Sequence, residues 1–154
     1  MKLLITALAC SASSLLFAQE ALDTISYSTY PEMAQYEINS IKENFKNATN
    51  PLIATYTGSE MHDYFYFPFK DNKGNYYDFA YRNNNLCSIP FGDFDAPLEG
   101  FDASENNSPG SKLVGRKFLI TWEYALSYIV CCEGASHSYP ALLPRISSIE
   151  YYTE

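Results

Sequence analysis

The chain holds two histidines, His62 and His137. Asp63 follows the first, and Ser136 and Ser138 flank the second, so a nucleophile, a base and an acid can all be named. Acyl transfer needs such groups on a scaffold that orients them. No nucleophile elbow, cysteine–histidine signature or glycine-rich phosphate loop surrounds any of these residues. The pattern assigns no catalytic residue, and histidines in surface turns are the simpler account. A hydrolase with an unrecognised active site is the second reading, with His62, Asp63 and His137 as its candidates.

Carboxylates offer a different chemistry. Asp93, Asp95, Glu99 and Asp102 are oxygen ligands of the type that calcium takes. Their spacing fails the calcium-loop pattern, with no glycine at the required offset and Pro97 interrupting, so neither metal nor cofactor is implied. Paired carboxylates for glycoside hydrolysis arise by chance in any acidic chain. These acids suit the rim of a recognition surface better, where charge steers an encounter. Aromatic anchors for such a surface are at hand, since the chain carries 14 tyrosines. Tyr64 and Tyr66 alternate with Phe65 and Phe67 and so point to the other face of their strand. Tyrosine offers broad contact area at low entropic cost, which fits sugar or protein recognition; the equal alternative is that these rings cover a second core beneath the helix. The expected ligand-binding set is Tyr64, Tyr66, Asp93, Asp95, Glu99 and Asp102. The net charge of −8 argues against nucleic acid and leaves a basic protein or an envelope glycan as the partner.

Residues 1 to 18 carry one positive charge at Lys2, an apolar centre and a small residue at Ala18, the pattern of a secretory leader. Cleavage after Ala18 would start the mature chain at Gln19. The rival is lipidation of Cys10 after Ala7-Leu8-Ala9. No later stretch reaches the roughly 20 apolar residues of a membrane-spanning helix. The reading is therefore a periplasmic or extracellular protein. In an oxidising compartment a disulfide from Cys87 to one of Cys131 and Cys132 is expected, because the set lacks a fourth ligand for zinc. Adjacent strand residues face opposite ways, so only one of that pair reaches Cys87: Cys132 by the even register before it, or Cys131 if a bulge intervenes.

These residues need elements to hold them. Residues 19 to 30 read as a flexible lead-in. Ala34, Ile38, Ile41 and Phe45 mark one face of a helix over about 31–46, which must stop before Asn50-Pro51. Leu52, Ala54 and Tyr56 are apolar at even positions, whereas Phe65, Phe67 and Phe69 are apolar at odd ones. One strand needs a slip near Gly58-Ser59 to keep both sets inside. Asp71 to Asn75 is a hairpin turn leading to Tyr77, Phe79 and Tyr81. Asn83 to Asn85 is a further turn, Leu86 to Ile89 a short strand, and Phe91 to Ser111 a long loop. Even positions from Phe118 to Val130 predict one buried strand face, with a helix from Trp122 as the alternative. Arg145 to Tyr152 should close the sheet.

Four stretches carry a family resemblance: Gly58 to Asp63 ahead of Tyr64-Phe65-Tyr66-Phe67; Gly74 four residues ahead of Asp78-Phe79; Val114-Gly115-Arg116-Lys117-Phe118-Leu119-Ile120; and Ile146-Ser147-Ser148-Ile149. Together they resemble small exported bacterial β-barrel domains of OB-like shape, over about residues 52 to 152. The resemblance implies a bent first strand and brings no catalytic residue with it. The expected protein is mainly β, a small antiparallel barrel or rolled sheet with one N-terminal helix. Its expected role is a non-catalytic binding or inhibitory module of the cell envelope. Intact-mass measurement on protein from its native host is expected to give a chain beginning at Gln19, whereas a diacylated Cys10 species would place it on a membrane.

Overall fold

The computed structural model describes residues 25–58, 60–61, 65–79, 83–94, 112–132 and 137–153. Helix α1 runs Glu32–Phe45, directly after Pro31, with Ala34, Ile38 and Phe45 buried. That matches the apolar face expected from the sequence. The helix closes where Lys46 N–H donates to the Glu43 carbonyl at 3.2 Å.

The remaining elements are β1 (Leu52–Tyr56), β2 (Glu60–Met61), β3 (Phe65–Tyr66), β4 (Pro68–Lys70), β5 (Tyr76–Asp78), a one-turn helix α2 (Phe91–Phe94), β6 (Lys117–Val130) and β7 (Ser138–Tyr151). Five strands make one antiparallel sheet in the order β5-β4-β1-β6-β7, and β2 pairs with β3 in a separate ribbon. The protein is therefore mainly β with one main helix. The sheet is open, with β5 and β7 at its two ends, so the expected barrel closure is not made.

The phase change between Tyr56 and Phe67 has a different cause from the slip expected. Chain reversal through β2 and β3 brings β4 back against β1, pairing Thr55 with Lys70 and Tyr56 with Phe69. Even residues of one strand then oppose odd residues of the next, and partners across a ladder share a face. Both sets reach the same core. Gly58, at φ +112°, supplies the left-handed turn out of β1.

Strand β6 departs further from expectation. Phe118 and Ile120 are buried as predicted, but Tyr124, Leu126 and Tyr128 are 42%, 41% and 44% exposed, and Ser127 and Ile129 are buried instead. The ladder carries one irregularity: Thr121 pairs with Ser148 and Trp122 with Ile146, leaving Ser147 as a bulge in β7, and the Trp122–Ile146 pair just beyond it still packs in the first core. A bulge strengthens local twist. Beyond it the ribbon presents its other face inward, toward Ala34, Ile38, Ala141 and Leu143, while Phe45 belongs to the core of the first half. Helix α1 thus packs on both halves.

Strand β7 was expected to begin at Arg145 and begins at Ser138. Pro140 and Pro144 hid its first half, since proline removes a ladder donor; an edge strand tolerates that loss on its open side. The open side is itself covered. Leu142 N–H donates to Tyr27 Oη at 3.0 Å, Tyr30 Oη–H to the Pro140 carbonyl at 2.8 Å, and Ile146 N–H to Asn84 Oδ1 at 2.9 Å. Residues 27–30 of the expected flexible lead-in are therefore a docked turn. Leu86 to Ile89 forms turns and not a strand, and the first residues of the expected loop are helix α2. Arg145 is buried and donates to the Phe79 carbonyl at 2.9 Å and to Ser127 Oγ, tying β7 to β6 and to the end of the hairpin.

Phe94 of α2 is 0% exposed and packs on Tyr56, Phe67, Phe69 and Phe118, while Tyr56 Oη–H donates to the Phe94 carbonyl at 2.9 Å. Replacing Phe94 with alanine is expected to cost about 3 kcal/mol or more by denaturant unfolding, because four aromatic neighbours cannot all collapse into the space. A loss below about 1 kcal/mol would mean that α2 does not plug this core.

Candidate functional site

Across the outer face of the sheet, away from the aromatic core, one row of side chains crosses every strand. Tyr76 of β5 pairs with Lys70 of β4, Lys70 with Thr55 of β1, and Thr55 with Lys117 of β6. Tyr152, just past β7, completes the row by donating its N–H to the Lys117 carbonyl at 3.0 Å. Tyr76, Lys70, Thr55 and Lys117 each neighbour a buried residue, Tyr77, Phe69, Ala54 and Tyr56, or Phe118, while Tyr152 follows the exposed Tyr151. Alternation along a strand therefore forces the four strand residues outward. At about 4.8 Å per strand the row spans roughly 19 Å, with the two lysines about 10 Å apart.

A groove of about 550 Å³ runs along the row from Lys70 to Tyr152, lined among others by Asn47, Thr49, Thr55, Lys70, Tyr77, Lys117 and Tyr152, with Tyr76 beyond its end. A second groove of about 700 Å³ shares Lys117 and Tyr152 and adds Lys112, Arg116 and Asp93. Tyr76 is 57% exposed, and Lys70 Nζ lies 5.1 Å from its ring centroid. Such a lysine holds one face of the ring and leaves the other to a ligand.

The hairpin turn fixes one wall. Asp71 Oδ1 accepts from Lys73 N–H at 2.8 Å and Asn75 N–H at 2.9 Å, and Oδ2 accepts from Asn75 Nδ2 at 2.9 Å and Tyr77 Oη at 3.1 Å. Gly74 takes φ +90°, the left-handed position that glycine accepts without strain. Partial burial works to raise the Asp71 carboxyl, but the donors from Asn75, Lys73 and Tyr77 outweigh it and hold the group below its ordinary value. Burial, and then the Asp71 carboxylate, raise the Tyr77 phenol.

Of the residues expected to bind a ligand, Tyr64, Asp95, Glu99 and Asp102 lie outside the described residues, as do His62, Asp63 and Ser136. Tyr66 is placed in β3 opposite Glu60, by its backbone alone. Asp93 is in α2, 3.8 Å from Lys112 Nζ, so the described member of the acidic set sits among cations. His137 and Ser138 are exposed at the start of β7. The disulfide joins Cys131 to Cys132 and not, as expected, either of them to Cys87, which is exposed in a turn. Cys131 packs in the second core with Ile129, on the odd face that the second half of β6 turns toward α1. Among the described residues no three histidine, cysteine or acidic side chains gather as a metal site.

Sequence reasoning missed Tyr76, Lys70, Thr55, Lys117 and Tyr152 as a group. They come from separate segments, and the sole trace in the chain is that the first four each stand beside a core residue. No family model, curated protein or solved structure matches this chain, so the resemblance to OB-like exported domains gains no relative to rest on.

Asp71→Asn is expected to lose about 1 kcal/mol at neutral pH, since an amide cannot replace the second acceptor oxygen. The sign of the pH effect follows from the depressed folded value. The stabilisation is complete above the unfolded carboxyl value of about 3.9 and is lost as pH falls through the folded one. Unfolding followed from pH 7 to pH 2 should show wild type and Asp71→Asn converging below about pH 4.

Proposed function

We propose that this protein is an exported, non-catalytic binding module that recognises a glycan of the cell envelope through the outer face of its sheet. The observation that carries this reading is the transverse row, with aromatic rings at both ends and hydrogen-bonding side chains between them. Sugars are held by stacking on aromatic rings and by amide and hydroxyl groups that meet their hydroxyls. The groove offers both, with Asn47, Thr49 and Thr55 supplying the polar groups beside Tyr152. Strands hold Tyr76, Lys70, Thr55 and Lys117 of the row at fixed spacing, which lowers the ordering cost of binding. The export half of the proposal rests on the leader-like first eighteen residues.

A basic protein is the weaker partner. The two grooves bring together Lys70, Lys73, Lys112, Arg116 and Lys117, which would repel it. Hydrolysis is weaker too. Among the described residues His137 and Ser138 lie at the start of β7, at the opposite end of that strand from Tyr152.

Binding to an array of envelope and extracellular polysaccharides, without turnover of those retained, is the expected result. Tyr152→Ala and Tyr76→Ala should each weaken the retained glycan about tenfold, the equivalent of 1.4 kcal/mol. If no glycan is retained, or if both variants bind as wild type does, this face is not the site.

A further inference from the structure

We propose that the glycan is acidic, a uronic or sulfated oligosaccharide whose anionic groups are met by Lys70 and Lys117 on either side of Thr55; this rests on the glycan-binding reading above. The chain has ten basic residues against eighteen acidic ones, yet five of the ten line the two joined grooves. Such segregation gives an acidic protein one cationic face. Among the described residues the acids lining the same grooves are Asp71 and Asp93. Asp71 spends its oxygens on the hairpin turn, and Asp93 lies 3.8 Å from Lys112 Nζ. Glu150 is exposed on the same face but lines neither groove. The local balance therefore favours an anion.

Register makes the arrangement more than an excess of surface lysine. Lys70 and Lys117 are both Cα partners of Thr55, so the sheet itself sets their separation at about 10 Å. A linear ligand lying along the row meets a ring, a cation, a hydroxyl, a cation and a second ring in turn. An acidic polysaccharide repeats charges and hydroxyls along its length in this manner. An acidic peptide fits less well, because peptides that join a sheet bond to edge backbone, and the grooves lie over the face, where side chains alone are offered. Duplex nucleic acid fits less well because its charge density meets a whole-protein charge of −8.

The test titrates full-length mature protein, by calorimetry at low and physiological salt, with four probes: an oligogalacturonate hexamer, its fully methyl-esterified neutral form, a heparin-derived hexasaccharide and a short duplex DNA. The expected result is binding of at least one acidic hexamer, at least about tenfold tighter than the neutral ester and the DNA, and weaker at high salt. Which acidic hexamer binds tighter tells carboxylate from sulfate. Lys70→Gln and Lys117→Gln should each cost about tenfold, whereas Lys42→Gln, which lines neither groove and has its Nζ 4.4 Å from the Tyr27 ring centroid, should change nothing. Thermal unfolding of each variant should match wild type, which separates lost contacts from lost fold. Equal binding of the acid and its ester would overturn this inference while sparing the glycan-binding reading. Binding of none of the sugars would overturn both. Full binding by the double variant Lys70→Gln/Lys117→Gln, or DNA binding as tight as the best sugar, would also overturn it.

Discussion

Strand β6 hydrogen-bonds to β1 over Lys117–Ile120 and to β7 along its whole length, and its two halves face different cores. That double pairing is the constraint on which the rest depends. A fourteen-residue ribbon without a break would keep one apolar face throughout, and that face would outrun the single helix available to cover it. The ribbon resolves the mismatch by using both of its faces, so that Phe118 and Ile120 are buried on one and Ser127 and Ile129 on the other, with the bulge at Ser147 adding twist between the two halves. Helix α1 then serves both cores, through Phe45 at one end and Ala34 and Ile38 at the other.

Strand pairing beyond β6 is completed by side chains. Asn50 imitates a strand neighbour for Trp122, accepting its N–H at 3.3 Å and donating to its carbonyl, while the indole N–H reaches the Thr49 carbonyl at 2.9 Å. Tyr27, Tyr30 and Asn84 do the same for the outer side of β7. Such coverage satisfies backbone groups and blunts an edge that would otherwise invite another chain. Several of the tyrosines are thus structural, and the enrichment of the composition in this residue is shared between edge coverage, core and the outer row.

The same sheet that organises the core fixes the candidate site, since each outward strand residue of the row is held by an inward neighbour packed against aromatic rings. Charge is divided in the same way. Acids dominate the chain as a whole, while the grooves gather half of the basic residues. Recognition on such a face depends on side-chain spacing set by backbone hydrogen bonds, so the site is as rigid as the ladder beneath it.

How much of this was legible in the chain varied with the range of the interaction involved. The helix over Glu32–Phe45, the turn at Asp71 to Asn75 and the β character of Phe118–Val130 rest on local periodicity and turn chemistry, which act over a few residues and can be read directly. The inward face of β6 could not be read past Trp122, because the odd face of its second half is covered by Ala34 and Ile38 of α1, residues far away in the chain. Phe94 looked like part of a loop, since its burial comes from Tyr56, Phe67, Phe69 and Phe118 and not from its neighbours. The acids and tyrosines chosen for recognition were conspicuous by composition. The row of Tyr76, Lys70, Thr55, Lys117 and Tyr152 was not, because strand order and register alone bring these residues side by side, and both are tertiary properties.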